Sequence, residues 1–196
     1  HVLRRRQRQM CIRDSPYINN IDSTIIASLG NAEDFGDLSI AVRQPGAYAS
    51  PVRGIFAGGY APGPSAKNTI EYVTISTTGN TQDFGDLTRT AGGPKGTGSA
   101  TRAVFGGMSF PTNNDLLFIT MASTGNAQDF GDLISSLSTG GSFSSVTRGV
   151  YAGGLPGNSA TCESVEIATT GNALDFGDLS TGGHGGHGMS NGHGGL

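Results

Sequence analysis

The chain has 196 residues, of which 33 are glycine, 14% are charged and none is tryptophan. Helical periodicity is missing, and short β-branched runs broken by Gly, Asn, Pro and Ser predict an all-β protein; recurring apolar words argue against disorder by giving every segment something to bury. The formal charge is −3, but without the five arginines and one aspartate of residues 1–15 the remainder carries −7 and no basic stripe, which argues against nucleic acid as a partner. Cys11 and Cys162 sit in unrelated contexts and make neither a disulfide framework nor a zinc site, and no apolar run is long enough to span a membrane.

Residues 1–15 share nothing with the rest of the chain. Gln9–Ser15 reads as the translation of a transposase adapter used in library preparation, whose mosaic end is CAG ATG TGT ATA AGA GAC AG in this frame. The expectation is a non-native or disordered leader at 1–15 and one repeat domain, a fragment of a longer protein, at 16–196. A polybasic arm is the competing reading.

From residue 16 the chain repeats. Asp-Phe-Gly-Asp-Leu occurs at Asp34–Leu38, Asp83–Leu87, Asp129–Leu133 and Asp175–Leu179, with starts 49, 46 and 46 residues apart. Each copy follows a Gly-Asn pair: Gly30-Asn31, Gly79-Asn80, Gly125-Asn126 and Gly171-Asn172. The last three are preceded by Arg53–Gly59, Arg102–Gly107 and Arg148–Gly154, each an arginine, an apolar run and a glycine pair. A period of this size signals an array of small units, none able to bury a core alone.

The second unit predicts strands in order. Gly54–Ala57 is an apolar strand closed by Gly58-Gly59, where the chain needs positive φ or a close backbone approach. A Pro/Gly/Ser loop at 61–67 leads to the β-branched run Thr69–Ser76, then to turn chemistry at Thr77–Asn80 and a hairpin strand at Gln82–Leu87. Thr88–Thr101 has room for one more strand before Arg102. Val73 and Ile75 correspond to Ile119 and Met121, then Val165 and Ile167; Ile70 and Tyr72 correspond to Leu116 and Phe118, then Cys162 and Ser164. Both faces of the sheet are therefore expected to be covered, and Cys162 to be a buried thiol at an aliphatic position. The second motif aspartate precedes the next arginine by 16 residues each time, whereas the arginine precedes the turn glycine by 26, 23 and 23. All length variation thus falls between the glycine pair and the following strand, where repeat proteins gather binding loops. Tyr60, Lys67, Phe110, Asn113, Asn114 and Asn158 are the candidate binding residues of those loops.

This order of strand, Gly-Gly, variable loop, strand, turn and aromatic strand resembles the kelch repeat. Gly59, Gly107 and Gly154 match its glycine pair, and Phe35, Phe84, Phe130 and Phe176 its aromatic, although kelch repeats usually place Trp there. The resemblance covers about residues 16–196 and implies a β-propeller of antiparallel four-stranded blades, here an open, incomplete array of about four repeats. The wording of the motif is also similar to kelch-like repeats of marine phages and their metagenomic relatives, which implies a virion or extracellular setting.

Several chemical readings compete at the motif. Asp-Phe-Gly has none of the partners of a kinase metal site. Asn80, Asp83 and Asp86 could cluster oxygens for calcium, but turn hydrogen bonding accounts for the same residues. The constant offset suggests that Arg53, Arg102 and Arg148 pair with motif carboxylates such as Asp37, Asp86, Asp132 or Asp178. His184, His187 and His193 lie in a glycine-rich tail that aligns with the connector to a next repeat. Gly92–Gly98 lacks the Gly-Lys-Ser/Thr ending of a phosphate loop, and no nucleophile set recurs. The expectation is a non-enzymatic module without cofactor or metal, structural or adhesive, contacting a protein or glycan. Its competitors are a propeller-based enzyme of the galactose oxidase or glycan-acting type, disfavoured by the lack of His in the repeats, and an intracellular kelch adaptor.

Overall fold

The computed structural model describes residues 8–11, 17–63, 65–109, 111–138 and 140–188, the first of these by backbone alone. All regular elements among them are strands, and they form antiparallel sheets. The first sheet holds β1 (Arg8–Cys11), β2 (Ile18–Ile25) and β3 (Glu33–Val42). The second runs β4 (Gly46–Ala49), β5 (Arg53–Ala57), β7 (Ser65–Thr74) and β8 (Gln82–Ala91), with the two-residue β6 (Tyr60–Ala61) against the start of β7. The third is β9 (Lys95–Gly98), β10 (Arg102–Gly106), β11 (Asp115–Thr120) and β12 (Gln128–Asp132). The fourth is β13 (Gly141–Ser144), β14 (Arg148–Gly154), β15 (Ser159–Glu166) and β16 (Leu174–Asp178). The four strand positions in a sheet are lettered a to d.

The first sheet also has a strand at position b. Arg8 lies opposite Ile25 as Arg53 lies opposite Thr74, the equivalent repeat position. Part of the leader expected to be foreign or disordered is thus paired, although it lacks the Arg–Gly-Gly word. The edge of β2 asks only for backbone donors and acceptors, so an unrelated sequence can occupy it.

The core lies between consecutive sheets. Ile21, Phe35, Leu38 and Val42 of the first meet Phe56 and Val73 of the second. Ile55, Ile70, Phe84 and Leu87 of the second meet Phe105, Ile119 and Met121 of the third. Val104, Leu116, Phe118, Phe130 and Leu133 of the third meet Tyr151, Val165 and Ala173 of the fourth. Strand alternation produces this division, since Ile55 and Ala57 face one way and Phe56 between them the other. Among the described residues no core cluster joins the fourth sheet to the first, so no closed ring forms.

A bulge explains the motif. Ile70 pairs with Gly85 and Glu71 with Asp83, so the ladder skips Phe84; Phe35, Phe130 and Phe176 are skipped in the same way. The extra residue breaks the alternation, which lets Phe84 and Leu87, three apart, both face the third sheet. Gly36, Gly85, Gly131 and Gly177 follow the bulge at φ of 146°, 142°, 141° and 121°, a conformation that glycine adopts without steric cost.

Candidate functional site

Three identical joints hold the sheets together. The Gly79 amide donates to the Phe35 carbonyl at 2.7 Å, Gly125 to Phe84 at 2.7 Å, and Gly171 to Phe130 at 2.7 Å. Thr81, Ala127 and Ala173 donate to the carbonyls of Asp37, Asp86 and Asp132 at 2.9, 2.8 and 2.7 Å. In return the amides of Asp37, Asp86 and Asp132 donate to the side-chain Oδ1 of Asn80, Asn126 and Asn172 at 3.0, 3.0 and 3.1 Å. The Gly-Asn turns at Gly79, Gly125 and Gly171 therefore each dock on the bulged strand of the sheet before them. The fit is tight, because a Cβ on Gly36, Gly85 or Gly131 would collide with the carbonyl of Gly79, Gly125 or Gly171. Asn80 thus spends its oxygen on the neighbouring sheet. Among the described residues no group of three His, Cys, Asp or Glu could hold a metal ion.

The phenylalanines mark the joints. Phe35, Phe84 and Phe130 are each 2% exposed, while Phe176 is 49% exposed. Its face, with Leu174 and Leu179 also exposed, has no fifth sheet against it among the described residues. Val150, Ala152 and Cys162 form a small cluster on that same side.

The arginines do not pair with motif carboxylates. Arg53 donates through Nη1 to the Met121 carbonyl at 2.7 Å and lies over the Tyr72 ring at 4.7 Å. Arg102 donates to the Ile167 carbonyl at 2.9 Å and lies over Phe118 at 4.5 Å. Arg148 instead pairs with its own sheet's Glu166 at 3.3 Å, and its guanidinium is 5.9 Å from the Phe176 ring centre. The 16-residue offset is a distance along the chain. In space the strand start aims the side chain across its own aromatic toward the next sheet, where it meets the end of strand c.

The glycine pairs connect neighbouring segments. Gly59 donates to the Ala91 carbonyl and Gly154 to the Gly183 carbonyl, both at 2.8 Å, and Gly107 has φ of 63°. Tail residues 182–188 thus follow the route that residues 90–96 take from the second sheet toward the third. His184 Nδ1 lies 2.6 Å from Asn158 Oδ1 at an exposed position, and His193 falls outside the described residues.

The candidate loop residues divide. Tyr60 lies 2.9 Å through its hydroxyl from Ser109 Oγ, which donates to the Gly92 carbonyl, so the loops of the second and third sheets touch. The Arg43 guanidinium sits 5.2 Å from the Tyr60 ring. Lys67 is not a loop residue: it lies in β7 opposite Ala91, because that strand starts at Ser65. Asn113 and Asn114 are half-buried, with Asn114 Nδ2 donating to the Leu133 carbonyl at 3.2 Å, and Asn158 is exposed at φ of 56°. Phe110 lies outside the described residues.

Burial dominates the shifted titratable groups. It raises the Tyr48 hydroxyl to about 12, and it raises Tyr151, whose hydroxyl donates to the Val104 carbonyl at 3.1 Å. Burial raises the Cys162 thiol, helped by the charges of Asp178 and Asp175. Glu163, also raised by burial, accepts the amides of Ile134 at 2.7 Å and Ser135 at 3.1 Å, tying the fourth sheet to the third. Its counterpart Glu71 ties the second to the first through the Ser39 amide at 3.3 Å. Sequence reasoning passed over these carboxylates; the signal was a Glu at the same register in two copies. No helix among the described residues is long and apolar enough to cross a membrane. No protein-family model matches the chain, and no curated protein matches it in sequence.

Proposed function

We propose that the chain is a non-enzymatic binding module, an open arc of kelch-like propeller blades that contacts a protein or glycan through its b–c loops. The observation that carries this reading is the contact between Tyr60 and Ser109. It joins two length-variable loops into one continuous edge on a scaffold whose other features repeat, and variable loops on rigid repeats are where recognition is built. The blade reading draws support from the short a strands, which crowd together: Ser142 Oγ donates to the Gly96 carbonyl at 2.8 Å and Thr97 Oγ1 to the Phe143 carbonyl at 3.0 Å. A propeller needs such crowding next to its axis. Cys162 in particular is disfavoured as a nucleophile, since it is buried and pushed away from its thiolate form.

The test is a glycan-array and protein-panel screen with the chain displayed multivalently on beads. Hits should be lost when Pro62, Leu155 and Asn158 are replaced by Ser, with the melting temperature of the free chain little changed. Binding that survives these changes, or that maps to the turns at 76–80 and 122–126, refutes the loop assignment.

A further inference from the structure

We propose that this chain binds a second copy of itself head to tail, through a joint of the kind that already links its own sheets. The proposal is independent of the loop-binding function. A joint needs a donor turn on one sheet and a bulged acceptor strand on the sheet before it. Among the described residues three of each are engaged with one another, and one of each has no partner, on the first and the fourth sheet.

The unused turn is Gly30-Asn31-Ala32, equivalent to Gly125-Asn126-Ala127. Its Ala32 is exposed, whereas the equivalent Ala127 and Ala173 of the docked turns are 6% and 5% exposed. Beside it Ile26 is 60% exposed, whereas its equivalents Met121 and Ile167 are 3% and 1% exposed against the preceding sheet. The unused acceptor is Phe176-Gly177-Asp178. A Cβ on Gly177 would meet nothing within 4 Å, while the three equivalent glycines are each covered by a docked turn. Docking would bring Gly30 N–H to the Phe176 carbonyl, Ala32 N–H to the Asp178 carbonyl and Asp178 N–H to Asn31 Oδ1. Arg148 would leave its exposed partner Glu166 and donate to the Ile26 carbonyl, as Arg53 and Arg102 donate to Met121 and Ile167. Phe176 and Ile26 would be covered together. The two surfaces differ, so the contact is heterologous: two copies can close on each other through two joints, or copies can add in line.

Sedimentation velocity over a concentration series tests this. The wild-type mass should rise with concentration to at least that of two chains. Ile26→Lys spoils only the donor end and Phe176→Lys only the acceptor end. At low concentration Ile26→Lys should melt as the wild type does and Phe176→Lys, at a half-exposed ring, within a few degrees of it, and each should stay a single chain throughout. Mixing the two variants should restore association, limited to one chain of each, because each supplies the end the other lacks. A wild type that stays a single chain at every concentration, variants that associate as the wild type does, or a mixture that stays apart each overturns the proposal.

Discussion

Asn126 reaches out of its own sheet to Asp86 of the preceding one, its carboxamide oxygen accepting the Asp86 amide hydrogen at 3.0 Å. The two residues are 40 apart in the chain, and the same bond links Asn80 to Asp37 and Asn172 to Asp132. The Gly-Asn-x-x-Asp-Phe-Gly-Asp stretches that start at Gly79 and Gly125 are thus each both the donor turn of one joint and the acceptor strand of the next. Such an arrangement makes stability a sum over nearest-neighbour joints.

Asn126→Ala should cost about 0.5–1.5 kcal/mol, the net worth of one hydrogen bond, whereas Asn31→Ala should leave the melting of the single chain unchanged. Thermal melts at a concentration where the chain is single check the pair. Equal losses would mean that these asparagines stabilise their own turns instead.

Phe130→Ala should cost about 3–5 kcal/mol by leaving a cavity between the third and fourth sheets. Phe176→Ala, at a half-exposed ring, should cost roughly 1 kcal/mol or less, in line with its smaller burial. Denaturant titration of both variants decides, and equal costs would contradict the asymmetry between inner and terminal motifs.

Gly85→Ala should destabilise far more than Gly177→Ala. Both suffer at positive φ, but only the first drives a methyl group into the carbonyl of a docked turn. Comparable melting temperatures for the two variants would argue against a closed joint at Gly85.

The Glu163 carboxyl titrates above its ordinary range because burial disfavours its charge, an effect that the amides of Ile134 and Ser135 offset only in part. Its folded pKa lies above its unfolded one, so the proton is held more tightly in the folded state. The stability this confers is present in acid and lost as the pH rises through the folded pKa. The melting temperature of the wild type should therefore fall relative to that of Glu163→Gln between acid and neutral pH. A constant gap, or one moving the other way, contradicts the assignment.

The repeat, its strands and the two-sided burial of strands such as Thr69–Ser76 were legible because apolar side chains recur at fixed offsets and alternate within a strand. The joints were not. Their bonds run between copies, and Asn126 reads locally as turn chemistry whether it bonds its own turn or Asp86. Arg102 departs from expectation for a related reason: a constant offset from Asp86 shows a repeated relationship but not its direction, and the side chain meets a backbone carbonyl, which no residue type announces. The four phenylalanines look equivalent in sequence, but Phe176 differs because, among the described residues, no further sheet covers the fourth motif. Likewise nothing in Arg8–Cys11 announces a b strand, since pairing with β2 uses backbone groups alone.

Amide hydrogen exchange at four glycines, read by NMR on the single chain, bears most directly on the stacking of sheets through Gly-Asn turns. Gly79, Gly125 and Gly171 each donate to the bulged strand of the sheet before them and should exchange slowly, while Gly30 should exchange at the rate of an open loop. Exchange at Gly79, Gly125 and Gly171 as fast as at Gly30 would show that the joints do not hold in solution.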